Sequence, residues 1–158
     1  MFRQVDIMAR NRHRRVIGLV QQKIKLIRTY PTLIVGIQIS RNLLRFVIRL
    51  QPTPESIEYK VRIQLKLGYL PTAQLQEPKE IAMVNGQKPH HLYKGKNGDE
   101  YLCVFYPKGC EWSNCMFLAD SFVPWVVTWL SAYEIWQVTG VWVYPEYVND
   151  NHIKRMQL

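Results

Sequence analysis

Nine residues from Tyr59 to Leu67 alternate without a break: Tyr59, Val61, Ile63, Leu65 and Leu67 against Lys60, Arg62, Gln64 and Lys66. Period-two alternation sets one face on an apolar core and the other in water, so this segment predicts a strand covered on one side. Its neighbours fit the same sheet. Leu44, Phe46, Ile48 and Leu50 alternate with Arg45, Val47 and Arg49, and Thr32–Ile39 is apolar and β-branched. Pro52-Thr53-Pro54-Glu55-Ser56 reads as a turn. Strands joined by turns this short pair antiparallel, because a parallel crossover needs about a dozen residues or more. Between Gly68 and Pro78 the residues predict a bend at Pro71 and a short strand around Ala73 and Leu75; Ile81–Val84 reads as one more strand.

A helix is expected on either side of the sheet. Val16, Leu19, Val20, Ile24 and Ile27 fall at helical spacing, with Arg14, Arg15, Gln22, Lys25 and Arg28 off the stripe. The stripe is expected to meet the core. Tyr30-Pro31 ends this helix, since a residue before proline is pushed out of the helical region. Toward the C-terminus, Asp120 or Ser121 can cap a second helix, Pro124 suits its first turn and Gly140 its end. Trp125, Trp129, Tyr133 and Trp136 stack along one side of it and read as core. The order is helix, four-strand meander, an irregular stretch holding a cysteine, helix. That is an α+β layout with helices packed on an antiparallel sheet.

With 158 residues the chain is expected to form one domain over 1–158, its core spanning about 14–145, with a basic N-terminal segment and a polar C-terminal tail. Three cysteines, an odd count with no signal peptide before them, point to a reducing cytoplasm rather than a disulfide framework. Asp120, Glu134 and Glu146 break the longest uncharged stretches well below the roughly 20 residues of a membrane span, so no membrane partner is expected. The net charge is +9, and the first 30 residues carry +7 of it. Such a segment is either a solvated helix face or a surface for an acidic partner. A nucleic-acid partner rests on that charge alone and is disfavoured, because no basic, aromatic-rich strand of the RRM kind accompanies it. The segment is expected to dock on a protein.

Three groups of residues could carry chemistry. A cysteine attacks only as thiolate, so Cys103 needs a nearby cation or dipole; His90 and His91, upstream across a glycine-bearing loop, could supply it. Spacing alone favours Cys103 as a small hydrophobe in the apolar run Tyr101–Tyr106. Zinc is set aside, because Cys110 and Cys115 lack the second ligand pair of a structural site. The tryptophan stripe reads as packing. There is no phosphate-cradling glycine loop, no H-E-x-x-H and no G-x-S-x-G, and no cofactor or metal is expected.

The order of elements and the residues around Cys103 resemble a ubiquitin-conjugating enzyme. Pro89-His90-His91-Leu92-Tyr93 stands where that family has His-Pro-Asn, Tyr101-Leu102-Cys103-Val104 matches its hydrophobic-Cys-hydrophobic site, and Trp112-Ser113 follows at the family's spacing. Pro71 resembles the proline-bearing bend before the histidine motif. The likeness is specific to the bacterial branch found in the anti-phage CBASS operons. Ala119-Asp120, Pro124-Trp125, Trp129-Leu130, Tyr133-Glu134-Ile135-Trp136 and Thr139-Gly140-Val141-Trp142 coincide with its pattern over residues 14–145.

The resemblance implies a cysteine acyltransferase without a cofactor. Cys103 would carry the C-terminus of a cGAS-like nucleotidyltransferase as a thioester and pass it to an amine on a protein or small molecule. His90 and His91 would be proton shuttle or oxyanion donor, and Asp120 would orient an incoming amine or a histidine, or simply cap the second helix. Two departures stand out. The family's Asn is missing, so oxyanion support must come from elsewhere, such as His91 or a backbone N–H. Lys94–Glu100 is longer than usual for the branch. The 158 residues hold no adenylating domain, so either a separate activating enzyme supplies the activated C-terminus or a short form proceeds by another route. The competing reading is a non-catalytic interaction module of the same fold; inactive variants of that kind lose the cysteine, and Cys103 is retained.

Overall fold

The computed structural model describes residues 15–106, 109 and 111–143. The basic residues from Arg3 to Arg14, Cys110 and the polar tail beyond Val143 lie outside these described residues. The elements are α1 (Leu19–Thr29), β1 (Ile34–Ser40), β2 (Leu43–Leu50), β3 (Tyr59–Lys66), β4 (Thr72–Glu77), β5 (Leu92–Lys94), β6 (Glu100–Leu102) and α2 (Phe122–Thr139). Strands β1 to β4 form one antiparallel sheet in chain order, and β5 and β6 form a separate hairpin. The fold is α+β, with a four-stranded meander and helices on its N- and C-terminal sides, as in ubiquitin-conjugating enzymes.

Alternation in β2 and β3 sets the register. Ile48 sits opposite Val61, and Phe46 opposite Ile63. In the next pair Val61 faces Leu75 and Ile63 faces Ala73. All six are buried and share one face. A one-residue slip would turn that whole face to water, and burying each large apolar side chain is worth about 1.5–3 kcal/mol, so the register is strongly specified. The opposite face carries Arg45, Arg49, Lys60 and Arg62. Arg49 also donates through Nη2 to Thr32 O at 2.6 Å, which ties down the chain before β1.

Helix α2 brings Phe122, Val126, Trp129, Leu130, Tyr133 and Trp136 into the same core. Tyr133 packs edge-on against Tyr59 of β3, with ring centroids 6.4 Å apart. Ser121 occupies the N-cap position, but its hydroxyl donates to Phe117 O at 2.7 Å instead of capping the helix. Gly140 ends the helix at φ 71°, a left-handed conformation that suits glycine.

Two expectations are corrected. Of the first helix's stripe Leu19 meets the core, but Val16, Val20, Ile24 and Ile27 are exposed, and α1 buries Gln22 and Leu26 beside Leu19. The cause is Gln22. Its Nε2 donates to Met116 O at 2.8 Å and its Oε1 accepts from Leu118 N at 2.9 Å. Buried amides demand partners, and satisfying both ends of this side chain fixes which face of α1 turns inward. Ile81–Val84 is not a strand, and only an isolated bridge joins Val84 to Gln87. There Ala82 N donates to the Tyr133 hydroxyl at 2.7 Å, so the segment is pinned to α2 and not to a sheet edge.

Candidate active site

The β5–β6 hairpin lies beside the edge strand β4 and carries the cysteine at its exit. Leu92 pairs with Leu102, Tyr93 with Tyr101 and Lys94 with Glu100. The ladder continues one step further, because Cys103 N donates to His91 O at 3.0 Å. Side chains directly opposite one another in an antiparallel ladder share a face, and so do residues two apart. His91, Tyr93, Tyr101 and Cys103 therefore form one facial set, while Leu92 and Leu102 point the other way. Tyr93 and Tyr101 stack with centroids 5.4 Å apart. The hairpin tip spans Gly95 to Asp99, and a Cβ on Gly95 would come within 2.6 Å of the Tyr101 ring. The extra length of Lys94–Glu100 is thus spent on a turn that leaves the cysteine end of the ladder in register.

Helix α2 holds the other end. Trp129 Nε1 donates to His91 O at 2.9 Å, so this one carbonyl accepts from both Trp129 and Cys103. The His91 ring stacks on Trp142 with centroids 4.9 Å apart, and Trp142 in turn lies 5.3 Å from the Trp129 ring. The tryptophan stripe is core, and at Trp129 it also fixes the backbone on which the cysteine is registered. Each such bond contributes about 1 kcal/mol net, but leaving the His91 carbonyl without its partners would cost more.

Cys103 is 3% exposed, and its Sγ–H donates to Phe105 O at 3.7 Å. Burial pushes its thiol up to about 12, and the nearby Glu111 carboxylate adds to the rise. At neutral pH the thiolate is then about one part in 10⁵, so this is a resting thiol and not an activated one. Glu111 is held in place because its Oε2 accepts from Tyr106 N at 2.7 Å. Tyr93 is pushed well above the ordinary tyrosine range, first by burial, then by the neighbouring Cys103 and Tyr101. Its hydroxyl stays protonated, and hence a donor, throughout the physiological range.

The structure brings His91 and Cys103 together across the ladder and leaves the His90 side chain exposed one residue earlier. Asp120 faces α1: it pairs with Lys25 Nζ at 3.4 Å and, after burial, contributes to the raised pKa of Tyr30. Tyr93, Glu111 and Trp129 had no place in the sequence-based site. Tyr93 stood inside the matched Pro-His-His-x-Tyr run, so its signal was present; for Glu111 the sequence held none. Among the described residues, no group of three or more His, Cys, Asp or Glu side chains is placed to hold a metal ion.

A helix, a four-strand meander, a cysteine registered against a histidine motif, a buried Trp112 and a closing helix define a ubiquitin-conjugating-type protein. The chain belongs to the Type II CBASS E2 protein family, whose model matches residues 22–150. No curated protein matches the chain. Among the described residues no helix is long and apolar enough to cross a membrane.

Proposed function

We propose that this protein is an acyl carrier in CBASS anti-phage defence, with Cys103 as its nucleophile. Cys103 Sγ attacks the activated C-terminal carbonyl of a protein, and the leaving group departs with its bonding electron pair while the thiol proton passes to a base. The donor that best fits the family is a cGAS-like nucleotidyltransferase, delivered by a separate activating enzyme. An amine then displaces the thiol and leaves an amide. His91 and His90 are the groups at hand for moving protons, because imidazole is the side chain whose ordinary pKa lies near neutrality. Asp120, engaged with Lys25, is assigned no step.

The observation that carries the reading is the ladder contact between Cys103 and His91, at the positions where the family has its cysteine and its histidine motif. The protonated thiol fits a carrier that reacts slowly on its own and faster once a partner docks at the site. Replacing Cys103 with Ala in cells challenged with phage should abolish protection while the folded protein accumulates normally. Undiminished protection would favour the non-catalytic interaction module.

A further inference from the structure

We propose that the Tyr93 phenol donates the hydrogen bond to the acyl oxygen during transfer from Cys103, in place of the missing asparagine. This rests on the reading of Cys103 as the thioester-forming residue.

Three observations place the donor. Tyr93 is two residues from His91 on the same face of the hairpin, diagonal to Cys103 across the ladder. Diagonal neighbours lie about 7–8 Å apart at the backbone, within reach of an aromatic side chain. Its ring is held by stacking on Tyr101, so its hydroxyl has little conformational freedom to lose when it engages the acyl oxygen. Finally, among the described residues the Tyr93 hydroxyl donates to no other group. The His91 imidazole, by contrast, lies flat against Trp142.

The chemistry needs such a group. The amine lone pair forms a bond to the thioester carbonyl carbon, and the carbonyl π pair moves onto oxygen. That oxyanion accepts a hydrogen bond from Tyr93, with no proton transferred. Collapse restores the carbonyl and breaks the C–S bond; sulfur leaves with the electron pair and takes up the proton that the amine has lost. Amide and free Cys103 thiol result. A neutral phenol in a half-buried site stabilises the oxyanion more than water does, because it needs no reorganisation as charge develops.

The test uses the full chain and a short peptide α-thioester that loads Cys103 by thiol exchange, followed by single-turnover discharge to hydroxylamine. Tyr93→Phe removes only the hydroxyl. It should slow discharge by about 10²-fold, while the rate of Cys103 alkylation by iodoacetamide, which passes through no oxyanion, stays within about threefold. Tyr101→Phe, which keeps the stack, should discharge like the unmodified protein. Discharge of Tyr93→Phe at the unmodified rate overturns the assignment and leaves the carrier reading standing. Equal losses of discharge and alkylation also overturn it, since they mark Tyr93 as merely structural. Failure of the unmodified protein to load at Cys103 overturns both.

Discussion

Glu111 sits beside a buried thiol that it makes harder to ionise, and removing its charge should therefore make Cys103 more reactive. Glu111→Gln keeps an acceptor oxygen for Tyr106 N, so the loop contact at 2.7 Å survives and only the charge is lost. Burial is the larger cause of the Cys103 shift to about 12 and remains in the variant. Loss of one neighbouring like charge lowers the pKa by on the order of one unit. At fixed pH well below the pKa, one unit raises the thiolate fraction about tenfold. The less basic thiolate is also a weaker nucleophile, by about 10^0.45 for a Brønsted slope near 0.45, so the net acceleration is roughly threefold. Pseudo-first-order alkylation with iodoacetamide at pH 8, read by mass spectrometry on the Cys103 peptide, measures it. Glu111→Ala should not simply repeat the result, because it also frees Tyr106 N. Unchanged or slower alkylation of Glu111→Gln would show that the carboxylate does not hold the thiol protonated.

Two further outcomes concern stability. Gln22→Leu removes both hydrogen bonds to the Met116–Leu118 backbone at a buried site and should cost about 2–5 kcal/mol in chemical denaturation, whereas Val20→Ala on the exposed face should cost less than about 0.5 kcal/mol. The Cys103 thiol is pushed up to about 12 in the folded chain against an ordinary value of 9.0, so the unfolded chain loses its proton first. The stability contributed by that neutral thiol is complete below pH 9 and is lost as pH rises from 9 toward 12, by up to about 1.4 kcal/mol per unit; Cys103→Ala should flatten the decline between pH 9 and 10.

The sheet was legible because period-two patterning reports burial directly: the alternation at Tyr59–Leu65 and Leu44–Leu50 became β3 and β2 with the apolar side chains turned to the core, although Leu67, the last apolar position of the run, lies past β3 and is exposed. The second helix was legible from Pro124, Gly140 and the aromatic spacing. The first helix was legible as a helix but not in its orientation. Its apolar stripe argued for one face, and a buried glutamine with two backbone partners some 95 residues away decided for another. No local pattern encodes that preference. The same limit applied at the site. The resemblance pointed to Cys103 and the histidine pair. The pairing of His91 with Cys103, the Trp129 bond to the same carbonyl and the approach of Glu111 all depend on how distant segments come together. Tyr93 lay in plain view but read as a motif residue until the ladder put it on the cysteine's face.

The most direct measurement is intact-mass spectrometry of the full chain, recovered without reductant from cells that carry its neighbouring genes. A protein-sized adduct mapping to Cys103 and released by added thiol is expected. Cys103→Ser should convert it to an adduct stable to thiol and labile to alkali, and Cys115→Ser should leave it intact. Absence of any adduct on Cys103 during phage challenge, with protection fully retained in Cys103→Ala, would contradict thioester chemistry at this residue.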